Sequence, residues 1–336
     1  MDLYFEKNLT NITGENWAWK TNILQAISFL FWNNWLKTKN DEILKFNSEY
    51  LFIWWDFLDE NWIQTSLSFS FDSKTNKKQY SLNWKKTTAK NLKLKSLKTC
   101  LFYPIDMNLF YLGPKYRRDF LDNILSNCYF EYPELIKNYE NIVKNRNKVL
   151  KNIYLWDSKP EEIVFWNEKF YDLSQKIYEY RIDLINFFKE RININKDFFK
   201  DLNINLEFEY ITKTDLKNII WSLKNYLDSN FQRDIILAKT AIWPHVDDFN
   251  IKINWIDILS YASRWETKSI IMTLKVIEMD YIKFKTWKTP ILLIDDLSSE
   301  LDEKHANLFL EKTNNYQCIF TSISSLNKEN ITKINI

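Results

Sequence analysis

Fifteen Trp and only two Gly occur among the 336 residues of this chain, and that inversion restricts what it can fold into more than any other feature. An ordinary soluble protein is about 7% Gly, and tight turns, helix ends and phosphate loops draw on that supply. Here the Trp stand where Gly is needed. Five follow Asn directly, at Asn16-Trp17, Asn34-Trp35, Asn61-Trp62, Asn83-Trp84 and Asn254-Trp255. Asn-Gly is a preferred pair for a type I′ turn, in which both central residues take φ > 0. Others lie in polar, loop-like surroundings, such as Thr286-Trp287-Lys288 ahead of Pro290, or as the pair Trp54-Trp55, away from the periodic apolar positions that bury an indole. Most of these Trp are therefore expected to be glycine in the working protein. Some bacterial lineages translate UGA as Gly and others as Trp, and decoding with the wrong table produces this exchange. The alternative, a Trp-rich chain that binds carbohydrate or stacks bases, leaves the turns unexplained.

The length allows two domains, or one domain with a large insertion. A formal net charge of +2 neither demands nor excludes nucleic acid, so any basic footprint must be local. The densest stretch, Lys85, Lys86, Lys90, Lys93, Lys95 and Lys98, reads equally as a solvated hairpin face and as a phosphate track. Cys100, Cys128 and Cys318 are odd in number and lack metal-ligand spacing, which suits a reducing compartment. His245 and His305 are the only histidines, too few for a His-based metal centre and against a Ser-His-Asp hydrolase. No run is long enough to span a membrane and no basic-then-apolar leader opens the chain, so a soluble, cytoplasmic protein without a membrane partner is expected.

Hydrophobic periodicity places a strand within residues 3–13 and a helix over 20–36 with an apolar stripe at Ile23, Ile27, Leu30 and Phe31. Residues 50–99 alternate as strands, with turn signals at Asn61, Asp72 to Asn76 and Asn83. From about 116 to 234 the pattern is helical and charged, with long stretches over Leu135–Ile153 and Phe165–Phe188. Strand character returns at 249–259, followed by a helix near 267–283 and the apolar strand Ile291–Ile294. The order implies one α/β sheet interrupted by a helical insertion.

Three segments carry chemistry. Gly14-Glu15-Asn16-Trp17-Ala18-Trp19-Lys20-Thr21-Asn22 becomes a complete P-loop when Trp17 and Trp19 are read as Gly, set between a strand and a helix. Its glycines let backbone N–H groups wrap a β-phosphate, Lys20 would reach the β- and γ-phosphates, and Thr21 would ligate Mg²⁺. Indoles at 17 and 19 would fill that space. Ile291-Leu292-Leu293-Ile294 runs into Asp295-Asp296, the Walker B arrangement of a buried parallel strand delivering carboxylates, with Asp295 in the Mg²⁺ shell and Asp296 polarising the attacking water. Between them, Ser263-Arg264-Trp265-Glu266 opens a helix, where a Ser two residues before a Gly could meet a γ-phosphate.

In that order the three segments resemble the ABC-type ATPases, whose signature motif closes on the nucleotide of a partner subunit. Ser299-Glu300-Leu301-Asp302 then resembles the D-loop, with Ser299 and Asp302 as its polar members, and Thr321 falls at the switch. The fold implied is an α/β ABC-type P-loop ATPase head with a mixed sheet, interrupted by a helical arm: head over 1–100 and 236–336, arm over 101–235. Further runs narrow the likeness to the RecF family of DNA repair proteins. Phe102-Tyr103-Pro104-Ile105-Asp106, Gly113-Pro114-Lys115-Tyr116-Arg117-Arg118-Asp119-Phe120-Leu121-Asp122, Arg146-Asn147, Trp243-Pro244-His245-Val246-Asp247-Asp248 and Ile291 to Asp302 all resemble that family's stretches in the correct order. Three departures stand out. The P-loop begins at Gly14, about two strands earlier than in the family, so contacts on the adenine side are expected to be missing. Val246 replaces a basic residue. Lys stands for Arg widely, and a point charge defines DNA contacts less than a bidentate fork.

The resemblance implies ATP and Mg²⁺ as cofactors and a weak, DNA-stimulated ATPase in which Lys20 and Asp296 are catalytic. It also implies an ATP-dependent homodimer on duplex or gapped DNA, and RecO and RecR as partners in loading RecA during recombinational gap repair, replication-fork maintenance and the SOS response. Rival readings are another SMC-like, Rad50-like or overcoming-lysogenization-type head, against which the insertion lacks long heptads, and a nucleotide-dead binding module if the Trp are genuine.

Overall fold

The computed structural model describes residues 2–5, 8–15, 19–31, 44, 48–58, 62–199, 204–242, 244–297, 301–322 and 331–336. In chain order the elements are β1 (Leu9–Thr13), α1 (Lys20–Leu30), β2 (Tyr50–Leu58), β3 (Gln64–Asp72), β4 (Lys77–Leu82), β5 (Lys85–Thr87), α2 (Ala89–Lys95), β6 (Thr99–Phe102) and a 3₁₀ turn, Pro104–Asn108. Next come α3 (Pro114–Cys128), α4 (Tyr132–Tyr154), α5 (Ile163–Arg191), β7 (Leu206–Ile211), α6 (Ile219–Ser229), α7 (Phe231–Leu237), β8 (Asp248–Ile253) and β9 (Ile256–Asp257). The chain continues through α8 (Ile258–Tyr261), α9 (Arg264–Thr286), β10 (Ile291–Ile294), α10 (Glu303–Lys312), β11 (Cys318–Ser322) and β12 (Ile331–Asn335). These elements form two compact units, one of residues 1–108, 197–200 and 263–336, the other of 109–196 and 201–262.

The first unit contains a five-stranded sheet of order β12-β1-β11-β10-β6, all its neighbours parallel. β10 reads Ile-Leu-Leu-Ile with every residue buried, as a strand covered on both faces must. Of the stripe expected on α1, Ile27, Leu30 and Phe31 are buried and Ile23 is partly buried, while Leu24, outside that stripe, is fully buried; they pack with Ile12, Leu293 and Ile319 of the sheet. A second, antiparallel sheet of order β2-β3-β4-β5 contributes Leu67, Phe69 and Phe71 to the same cluster. Parallel and antiparallel pairings are thus both present, but in separate sheets.

The second unit combines α3 to α7 with the antiparallel sheet β7-β8-β9. β7 lies inside the stretch read as helical: Leu206-Glu207-Phe208-Glu209-Tyr210-Ile211 alternates, and its charged face imitates a polar helix surface. β8, read as part of the head, pairs with β7. The unit's interior is unusually polar. Arg181, 2% exposed, donates from Nη2 to Asp122 Oδ1 at 2.9 Å and Oδ2 at 3.0 Å, and Tyr132 Oη donates to Asp122 Oδ1 at 2.6 Å. Arg117 forks onto Asp248 at 2.7 and 2.8 Å, Arg118 donates to the Asp247 carbonyl at 2.9 Å, and Tyr210 Oη to Asp247 Oδ2 at 2.8 Å. Arg146, fully buried, meets Asn167, Thr240 and Asp234, while Asn147 Oδ1 accepts from Thr240 N at 3.0 Å. Removing one partner of such a pair strands a buried charge at a cost of about 3–5 kcal/mol.

Among the described residues ten non-glycine residues have positive φ, and five are Trp: Trp62 (61°), Trp84 (62°), Trp156 (65°), Trp255 (71°) and Trp287 (57°). Asn83 (49°) and Asn254 (48°) precede two of them, so both described Asn-Trp pairs have φ > 0 at each residue, as in a type I′ turn. The pairs at 16–17 and 34–35, and Asn61, lie outside the described residues. For a non-glycine residue this conformation costs roughly 1–2 kcal/mol, against about 0.5–1 kcal/mol for the extra freedom a glycine loses. Trp84→Gly and Trp255→Gly are each expected to stabilise the protein by about 0.5–1 kcal/mol in denaturant titrations, whereas Trp166→Gly inside α5 should cost about 1 kcal/mol or more.

His245 accepts or donates at Nδ1 to Tyr139 Oη at 3.2 Å, and burial, then the cations Arg118, Arg181 and Lys239, pull its pKa down to about 3. Between the ordinary value of 6.5 and about 3 the unfolded chain therefore binds the extra proton, so this contribution to stability is complete above 6.5 and lost as pH falls through the window. The unfolding midpoint of the parent should drop more steeply between pH 6.5 and pH 4 than that of His245→Gln; equal slopes would refute the assignment.

Candidate functional site

The C-terminal ends of β1 and β11 finish level, Thr13 in register with Ser322, and β10 ends two residues sooner, Ile294 opposite Phe320, so that Asp295 and Asp296 follow at the same edge. In parallel sheets this edge gathers the loops that bind ligands. The loop after β1 contains the expected phosphate-binding residues. Gly14 is half-buried, Glu15 and Asn22 are exposed, and Asn16, Trp17 and Ala18 lie outside the described residues. Trp19, 52% exposed, occupies the N-cap of α1 without a side-chain hydrogen bond, which leaves the first-turn N–H groups facing outward with the positive end of the helix dipole.

Lys20 Nζ folds back onto main-chain carbonyls, donating to Gly14 O at 2.7 Å and Ser322 O at 3.2 Å. Thr21 Oγ1 lies 3.0 Å from both carboxylate oxygens of Asp295. The Thr321 hydroxyl donates to Asp295 Oδ1 at 2.8 Å and accepts from Asp296 N at 2.8 Å, so one side chain of β11 positions both acids. Asp296 adopts φ 50°, a conformation that costs energy in a non-glycine residue and recurs where a side chain must be aimed. Burial holds the Asp295 carboxyl above the usual carboxylate range, opposed by the hydrogen bonds from Thr321 and Thr21. Beneath it, Asp295 N donates to Phe102 O of β6 at 2.9 Å.

One hydroxyl and one carboxylate in contact fit Mg²⁺, which takes few protein ligands and completes its octahedron with water and phosphate oxygens. An ammonium resting on two carbonyls can turn to a phosphate with little rearrangement. The residues present therefore suit a magnesium–nucleoside triphosphate.

The signature residues form a separate hydrogen-bonded unit at the start of α9. Ser263 is an exposed N-cap: its Oγ accepts from Glu266 N at 3.2 Å, while its N and Oγ reach Glu266 Oε2 at 2.8 and 2.7 Å, a reciprocal capping box. Arg264 is exposed, and Trp265 packs its edge on His305 and Phe199. Of the D-loop pair, Ser299 lies outside the described residues; Asp302 caps α10 by accepting from His305 N at 3.1 Å.

Two participants escaped the sequence reading. Ser322 supplies the carbonyl that holds Lys20, and its Oγ donates to Asn11 Oδ1 at 2.9 Å, both residues being buried. An Asn inside a strand that leads into a phosphate loop was the available signal. Conversely, the middle-chain runs that resemble RecF, around Arg117, Arg118, Asp122, Arg146 and Asp247-Asp248, build the second unit's interior.

No family model matches the chain. It is 30% identical over 315 residues to the DNA replication and repair protein RecF of Thermoanaerobacter sp. (strain X514), covering 92% of this chain and 86% of that protein. It is 29% identical over 330 residues to the RecF of Clostridium acetobutylicum, covering 96% and 88%. Among solved structures, that of the recombination mediator protein RecF-ATP in the RecFOR pathway superposes with a TM-score of 0.84 at 26% identity, over 97% of this chain and 89% of that one. The RecF-ATPrS structure gives 0.86 at 25% identity, over 99% and 91%. With that identity sustained along nearly the whole of both chains, and the strand edge that gathers Lys20, Thr21 and Asp295 in place, the chain belongs to the RecF family of DNA replication and repair proteins.

Proposed function

We propose that this protein is an ATP-dependent DNA-binding factor of recombinational gap repair and replication-fork maintenance, with ATP as the ligand that closes two copies face to face on DNA. The contact of Thr21 with both oxygens of Asp295, beside Lys20, is the observation that carries the reading. When bound, magnesium-ATP supplies a triphosphate whose γ-phosphate can be shared between two subunits. Lys20 then exchanges the Gly14 and Ser322 carbonyls for phosphate oxygens. Thr21 and Asp295 would hold the metal, and Asp296, fixed through Thr321, would orient water for slow, DNA-stimulated hydrolysis that releases the dimer. Ser263 of the facing copy, exposed with Arg264 at a helix start and followed by Trp265 and Glu266, completes the phosphate shell, with Asp302 as the D-loop acid. Because only the triphosphate offers atoms to both subunits, dimerisation is a population shift driven by its differential binding. The solved relatives are RecF proteins of the RecFOR pathway, which supports RecO and RecR as partners and RecA loading as the outcome.

In protein carrying Trp17→Gly and Trp19→Gly, Lys20→Met is expected to weaken ATP binding by about a hundredfold or more in equilibrium titrations. Ser263→Arg should leave ATP affinity within about twofold while abolishing the ATP-dependent dimer in sedimentation. If both variants still dimerise with ATP, face-to-face closure is wrong.

A further inference from the structure

Backbone geometry independently identifies particular residues. Trp62, Trp84, Trp156, Trp255 and Trp287 combine φ between 57° and 71° with exposures of 66–94%. A Trp gains its stability by burying its rings, and these five bury little while occupying the left-handed region. By contrast, neither of the two glycines in the sequence has positive φ, so among the described residues every left-handed position holds another residue. Trp287 ends α9 as a left-handed C-cap, donating its N–H to Lys283 O at 2.9 Å, the usual place for Gly. We infer that these five positions are glycine in the protein made by its own cells, through a codon those cells read as Gly. Tryptic peptides of the natural protein, sequenced by tandem mass spectrometry, should show Gly at each; an indole at Trp84 or Trp255 would overturn the inference.

A second observation concerns how the signature helix reaches the metal-side carboxylate, and it rests on the ATP reading above. About three turns along α9 from Ser263, Lys275 is buried at 4% exposure. Its Nζ donates to Leu101 O at 2.6 Å and lies 3.3 Å from Asp106 Oδ2 and 3.1 Å from Glu278 Oε2. Asp106 Oδ2 also accepts from Tyr103 N at 2.9 Å. Leu101 and Tyr103 flank Phe102, whose carbonyl receives the Asp295 N–H at 2.9 Å. A single ammonium on the signature helix therefore pins both neighbours of the peptide on which Asp295 hangs. We propose that Lys275 is a positioning residue that keeps Asp295 in register with the signature helix, so that engagement of Ser263 by the facing copy is felt at the chain's own metal ligand.

Lys275→Met alone would strand two buried carboxylates, so the test combines it with Glu278→Gln and Asp106→Asn, which removes the charge and keeps the volume. Made in the Trp17→Gly, Trp19→Gly background, the folded triple variant should bind ATP within about twofold of its parent while kcat falls about tenfold or more with KM unchanged. An unchanged kcat, or equal losses in affinity and kcat, would overturn the proposal. Hydrogen exchange gives a second reading that needs no change in the core: ATP should increase protection of the Asp295 amide in the parent but not in Ser263→Arg, and equal protection in both would also overturn it. Should the parent bind no ATP, the functional reading falls first and this proposal with it.

Discussion

The contact between Thr21 and Asp295 organises the molecule. It ties the first turn of α1 to the end of β10, and Thr321 on the adjacent β11 bonds to the same carboxylate. One helix start and two strand ends are thereby fixed to one another by two hydroxyls and one buried acid. Taking that acid out of water is unfavourable, as the upward displacement of the Asp295 pKa indicates, and the hydroxyl contacts offset part of the cost. A divalent cation would relieve the rest. The proposed site thus has the order expected of one built before its ligand arrives.

The second unit answers a different demand. Its two forked pairs, Arg117 with Asp248 and Arg181 with Asp122, join helix to strand and helix to helix. Planar guanidinium forks fix orientation as well as distance, which a Lys in the same place would not do. Arg is otherwise scarce in a Lys-rich chain, and its retention at buried, bidentate positions follows from that geometry. Buried pairs of this kind add little net stability relative to apolar packing, yet they penalise any arrangement that separates them.

Much of the first unit was legible in the residues. Ile291–Ile294 could only be a strand covered on both faces, Lys20 and Thr21 lie after β1 beside Asp295 as their spacing implied, and the Asn-Trp pairs marked turns that the backbone adopts at 83–84 and 254–255. Less could be read where pattern and chemistry coincide. The alternation of β7 is carried by Glu207 and Glu209, so charge concealed it, and β12 is a short segment with two Ile among polar residues whose place beside β1 only the register shows. Ser322 acts on Lys20 through a main-chain carbonyl, which no residue type advertises. Arg117, Arg118 and Arg146 stood out as familial motifs, but their burial is a tertiary property that spacing does not encode.

The central claim is that Thr21 and Asp295 form one metal-dependent nucleotide site. Its most direct test is the magnesium dependence of ATP affinity, measured by calorimetry with and without a chelator, in protein with glycine at 17 and 19 and in its Thr21→Val variant. The account predicts that chelation weakens binding to the parent by about tenfold or more and changes Thr21→Val little. An undiminished magnesium dependence in Thr21→Val would contradict it.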